Sequence, residues 1–208
     1  MTRAPPVLTE EKKDALMELI NIGVGRAAGM LNQMTSHQIS LRVPSIALVT
    51  LDNLNEAMDG RMEDILAAVK MDFAGAFSGT AALIFPTASA AQLVSYLTDE
   101  EPGTPDLDAL RAVTLTEVGN IVVNCVMGSI TNMLNEQVRY SLPVYQEGSI
   151  AALICSDARI VDEWMLLIQT RFSIEQLHIE GDIVLIMEIG SLDALFAGID
   201  RLSARSDE

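Results

Sequence analysis

The chain has 208 residues, half of them hydrophobic, with 13 Lys and Arg against 29 Asp and Glu and a formal charge of −16. That is enough apolar material for a sizeable core in one domain or two small lobes, and the charge opposes binding to nucleic-acid phosphates or an anionic membrane surface. Cys125 and Cys155 lack metal-ligand spacing and the start MTRAPPVLTEEKK lacks the apolar core of a secretion signal. A reduced, cytoplasmic protein is therefore expected, with a protein partner that carries basic residues around its docking surface.

In chain order, a helix is predicted from about Thr9 to Thr35. Thr9 suits its N-cap, and Glu10 and Glu11 suit its N-terminal dipole. Strand-like text follows in QISLRVPSIALVTL (38–51), EDILAAVKMDFAG (63–75) and SGTAALIFP (78–86), before helical spacing returns in TASAAQLVSYL (87–97). The uncharged run from Ala74 to Thr98 is long enough to span a bilayer. Gly75, Ser78, Gly79, Pro86, Thr87, Ser89, Gln92 and Ser95 interrupt it, so it reads as a buried strand and a helix. The acidic, proline-containing DEEPGTPDLD (99–108) reads as a linker. A second long helix is predicted from about Asp108 to Gln137, followed by strands in VRYSLPVY (138–145), in SIAALICSDARI (149–160) or RFSIEQLHIEG (171–181), and in DIVLIMEI (182–189). A last helix runs from Ser191 to about Leu202.

The order of elements repeats, and so do the residues. ELINIGVGRAAGMLNQMTSHQISLRVP (18–44) laid without a gap over EVGNIVVNCVMGSITNMLNEQVRYSLP (117–143) gives eight identities in 27 positions, against about two expected from ordinary composition. The chain is read as one domain over 1–208, with repeat one at about 9–98, a linker at about 99–108 and repeat two at about 109–203. The fold class is α/β of the α+β kind, with two long helices on antiparallel strands; strands that follow one another without an intervening helix disfavour parallel βαβ units.

On a wheel of about 100° per residue, Leu16, Ile20, Val24, Ala27, Leu31 and Met34 share the stripe assigned to the core, as do Leu115, Val123, Val126, Ile130 and Met133 in the second helix. Asp14, Glu18, Asn21 and Gly25 fall nearly opposite, as do Glu117, Asn120, Asn124 and Gly128. A solvated face is the plain explanation of such residues. A face of that kind gains nothing, however, from Asn over better helix formers such as Lys, Gln or Glu, and the small Gly25, Gly29 and Gly128 would let another molecule's backbone come close. The glycine pattern Gly23, Gly25, Gly29 lies inside the helix instead of between a strand and a helix, which argues against a dinucleotide loop. His37 and His178 are far apart and lack a third clustered ligand, which leaves a zinc or nucleophile site without support.

Asp14-x3-Glu18-x2-Asn21-x22-Pro44 resembles the signature of the CheC, CheX and FliY phosphatases of bacterial chemotaxis, in which Asp or Ser precedes Glu, Asn and a distant Pro at this spacing. Glu117, Asn120 and Pro143 supply a second copy, with Val113 where Asp or Ser would stand. The two copies and the length favour the CheC type with two sites over CheX and FliY. The resemblance implies a pseudo-two-fold CheC-like fold and hydrolysis of the aspartyl phosphate on a CheY-type response regulator. In that reading Asn21 and Asn120 orient the attacking water, Glu18 and Glu117 anchor the partner, and Asp14 and Gly25 lie at the contact surface. The regulator brings its own Mg²⁺, and the chain needs no cofactor or metal of its own. The alternative is a non-catalytic adaptor that binds a regulator or the CheD deamidase.

Overall fold

The computed structural model describes residues 8–61, 63–100, 107–154, 164–188 and 192–206. Cys155, most of the expected linker and the first residue of the expected last helix lie outside the described residues. The first half runs α1 (Glu10–Thr35), β1 (Ser40–Leu41), β2 (Ser45–Val49), α2 (Leu51–Ala57), β3 (Ile65–Gly75), β4 (Gly79–Pro86) and α3 (Thr87–Thr98). The second half repeats that order as α4 (Leu107–Leu134), β5 (Val138–Tyr140), β6 (Val144–Ser149), α5 (Ile150–Ile154), β7 (Met165–Ile174), β8 (Ile179–Glu188) and α6 (Leu192–Ser206).

Among the described residues, eight strands form one antiparallel sheet in the order β1-β7-β8-β4-β3-β5, with β2 also on β7 and β6 also on β3. The short strands after α1 therefore pair with the second half, and those after α4 with the first. The two halves exchange strands and share one sheet. Residues 99 positions apart correspond from the helices through β3 and β7, as with Glu18 and Glu117, or Phe73 and Phe172. A 3-10 turn over Glu175–Leu177 lengthens the second hairpin, and beyond it the offset becomes 102. Gly79 and Gly181 then correspond. A Cβ at Gly79 would lie 2.1 Å from the Ile186 carbonyl oxygen, and one at Gly181 would lie 2.9 Å from that of Ile84. Both glycines are required by the same close approach of the central strands β4 and β8.

Side chains alternate across the sheet, so each face packs a layer. On one face Val69, Phe73, Leu83, Phe85, Ile168, Phe172 and Leu185 meet the apolar faces of α1, α3, α4 and α6. On the other, Leu66, Ala68, Ile84, Leu167 and Val184 meet α2 and α5 through Leu54, Met58, Ile150 and Leu153. The expected core stripe of α1 is buried from Leu16 to Leu31 and half-buried at Met34; that of α4 is buried from Leu115 to Ile130 and half-buried at Met133. Thr9 caps α1, its hydroxyl accepting from the Lys12 amide at 3.4 Å. The run 74–98 is the end of β3, β4 and α3. Among the described residues α4 is the one helix long and apolar enough to cross a membrane, and half of its apolar window is buried within this fold.

Several boundaries differ from the sequence reading. The second helix stops at Leu134 instead of Gln137, because Asn135 turns left-handed at φ 54°, as Ser36 does after α1. The strand read over 38–51 ends before α2, where the Asn53 side-chain oxygen Oδ1 accepts from the Thr50 amide at 2.7 Å. Of the two alternatives for the next strand, 149–160 is helical over 150–154, where the Ser149 hydroxyl accepts from the Ala152 amide at 3.2 Å to start the turn. The strand read at 171–181 belongs instead to β7, the 3-10 turn and the start of β8.

Candidate functional site

Helices α1 and α4 lie against each other on one face of the sheet, and their outer surfaces carry the paired motif. The contact is close because α1 is narrow there: a Cβ at Gly23 would lie 3.0 Å from the Val126 carbonyl oxygen. Gly23 is thus a helix-packing glycine. Arg26 crosses from α1 to donate to the Ser129 hydroxyl at 3.2 Å.

On α1, Asp14, Glu18, Asn21 and Gly25 are all exposed, and a Cβ at Gly25 would meet nothing within 4 Å. The carboxylate and the carboxamide stand one helical turn apart, beside open space. On α4, Glu117 and Asn124 are exposed and Asn120 is half-buried. Asn124 donates its side-chain amide to the Asn120 carbonyl oxygen at 2.8 Å. Val113, in the place of Asp14, is 64% exposed. Pro44 is buried and Pro143 half-buried, each at the entry to the strand after its helix, which suits a role in shaping the chain.

The two helices also sit on the sheet differently. Ile20 is fully packed under α1, whereas the corresponding Gly119 brings α4 so close to β3 that a Cβ there would lie 2.4 Å from the Val69 side chain. Val69 pairs with Tyr145 of β6, and Arg111 of α4 bonds Glu147 of the same strand at 3.3 Å. The Tyr145 hydroxyl donates to Glu147. Burial, and after it the Glu147 carboxylate, raise the Tyr145 pKa far above its ordinary value. This fastening of α4, and the bond from Asn124 to Asn120, were not drawn from the sequence. The outward position of Asn124, four residues after Asn120, was the available signal.

A cleft of about 450 Å³ lies at the end of β7 and β8 and is lined by Arg61, Thr87, Arg171, Glu180 and Asp182 among others. Its cations are already engaged. Asp182, 3% exposed, accepts from Arg61 at 2.9 Å, from Arg171 at 3.2 Å and from Gln169 at 3.1 Å. Although burial disfavours the Arg61 cation, its bonds to Asp182 and Asp64 leave its pKa raised. The cleft is an internal ion network of the kind that holds loops to a sheet, not an open anion site. Among the described residues no three His, Cys, Asp or Glu side chains converge as a metal site would need.

No family model matches the chain. It is 26% identical over 154 residues to CheY-P phosphatase CheC of Bacillus subtilis, an alignment covering 71% of each chain. The Thermotoga maritima FliY structure superposes with a TM-score of 0.73 at 16% identity, over 95% of this chain and 100% of that one. The chain is thus similar to CheC in sequence and to FliY in fold. The CheX of a CheX-CheY-BeF3-Mg²⁺ complex from Borrelia burgdorferi shares the fold with a TM-score of 0.57 at 15% identity, over 83% of this chain and 99% of that one. The mixed helical and antiparallel architecture is that of the CheC and FliY fold, and it displays Glu18, Asn21 and Glu117 in the open with Asn120 half-buried beside them.

Proposed function

We propose that this protein hydrolyses the aspartyl phosphate of a CheY-type response regulator in the cytoplasm, using Asn21 and Asn120 on one body formed by both repeats. The observation that carries this reading is the double display of an exposed Glu and a solvent-reaching Asn at identical spacing on adjacent helices. It is supported by similarity to a protein named CheY-P phosphatase CheC and by a fold-mate captured with CheY, BeF3 and Mg²⁺.

The chemistry asks little of the chain. An acyl phosphate with Mg²⁺, both belonging to the regulator, needs a water aligned for in-line attack, and a carboxamide both accepts from and donates to that water, as a catalytic Gln does in GTPases. The water oxygen bonds to phosphorus, the bond from phosphorus to the acyl oxygen breaks, and the aspartate carboxylate and inorganic phosphate separate. Glu18 and Glu117 pair with a regulator lysine and set the amide's position more than they add affinity. Gly25 admits the regulator's loops beside Asn21, and Asp14 adds a polar contact at the first site. The test is phosphate release from a phosphorylated CheY-type regulator of the same organism. Acceleration is expected; binding without acceleration would replace this reading with that of an adaptor for a regulator or for CheD.

A further inference from the structure

The two copies of the motif differ four residues after the Asn, one helical turn on, where side chains of a helix meet. Position 25 is Gly and position 124 is Asn. Asn124 donates to the Asn120 carbonyl oxygen at 2.8 Å, while Gly25 has no side chain to offer Asn21. An amide whose oxygen is held by a neighbouring donor has a fixed plane, and its own N–H groups become stronger donors through polarisation along the chain of bonds. Its NH₂ end is then the end presented for further bonding, and its remaining lone pair stays available to a water.

We infer that Asn124 is a positioning residue of the second site, which holds the Asn120 carboxamide in one orientation, and that the first site lacks this support because Gly25 replaces it. The catalytic value of this arrangement rests on the phosphatase reading above; the fixed orientation itself does not. The second site gains a preset amide at the position where it lost the acidic residue, since Val113 stands where Asp14 does. The support is transferable. A Cβ at position 25 meets nothing within 4 Å, so an Asn placed there has room to reach Asn21 across the same helical turn.

Two readouts test the inference. In full-length protein carrying Asn21→Ala, so that only the second site is read, Asn124→Asp removes the donor while keeping the shape, and Asn124→Gln restores a donor. Turnover at saturating phosphorylated regulator is expected to fall about threefold in Asn124→Asp and to recover in Asn124→Gln, with KM little changed. In protein carrying Asn120→Ala, Gly25→Asn is expected to raise turnover about threefold, and Gly25→Ala, which has no donor, is not. Independently of any activity, ¹⁵N relaxation of the side-chain amides is expected to show Asn120 more rigid than Asn21, and as mobile as Asn21 once Asn124 is Asp. Equal mobility of the two amides in the unaltered protein would overturn the inference. So would a kcat indifferent to Asn124→Asp, or an effect confined to KM. Absence of acceleration by every form would instead remove the phosphatase reading, and the relaxation comparison would still decide the orientation.

Discussion

Helices α1 and α4 present a Glu and an Asn at identical spacing, yet each pair stands in its own setting. Under α1 Ile20 is fully buried in the core, and the outer face is open at Gly25. Under α4 the sheet is met by Gly119 at close range, the flank is fastened by Arg111, Glu147 and Tyr145, and Asn120 is bonded by Asn124. Duplication has kept the displayed pair and let its support diverge. The Glu, Asn and Pro of the motif are the same twice, so differences between the sites come from Val113 in the place of Asp14, from packing beneath and from polar neighbours beside them.

The largest expected effects break the packing half of that comparison. Ile20→Ala leaves a cavity under α1 and is expected to cost about 2–5 kcal/mol, whereas Gly119→Ala drives a methyl into Val69 and is expected to cost about 1–3 kcal/mol. Urea unfolding of both variants measures the contrast, and a neutral Gly119→Ala would mean that α4 is free to lift from β3. Removal of the anchoring carboxylates in a Glu18→Ala, Glu117→Ala double variant is expected to lower turnover at saturating regulator roughly tenfold and to weaken binding less than that; phosphate release and calorimetric titration read the two, and unaltered turnover would place the contact elsewhere. Gly25→Leu separates stability from function. The better helix former is expected to add up to about 1 kcal/mol of stability, while its bulk at the open surface raises KM for the regulator. A variant that gains stability with no change in KM would show that nothing approaches Gly25.

The smallest effect is one of pH. Burial and Glu147 hold the Tyr145 proton on above the residue's ordinary value of 10.0, whereas the unfolded chain ionises near that value. The folded pKa is raised, so the contribution is intact below about pH 10 and is lost as pH rises toward the folded value. Thermal unfolding across that range should fall less steeply in Tyr145→Phe than in the unaltered protein. Tyr140, whose pKa is also raised by burial, accounts for part of the remaining slope.

The long helices and their buried stripes were legible in the sequence because period 3.6 over 26 and 28 residues leaves little choice of face. Short elements were not. Helices α2 and α5, of 7 and 5 residues, are too brief to show a period, and Thr50 before Asn53 was a cap without a visible helix to start. Strand β7 reads MLLIQTRFSI; covered on both faces, its first residues alternate nothing that could mark it as a strand. The exchange of β2 and β6 between halves is set by contacts distant in sequence, and no local pattern encodes it. At the site, the outward direction of Glu18, Asn21 and Glu117 followed from the wheel. The half-burial of Asn120 depends on neighbours that the wheel omits, as does the approach of Gly119 to Val69.

The most direct measurement compares phosphate release from the phosphorylated regulator in the presence of the unaltered protein, Asn21→Ala, Asn120→Ala and the double variant, each checked for intact fold. Acceleration that survives in part in each single variant and vanishes in the double variant, with regulator binding retained, is the predicted result. Full acceleration by the double variant would contradict the claim that the two displayed asparagines do the chemistry.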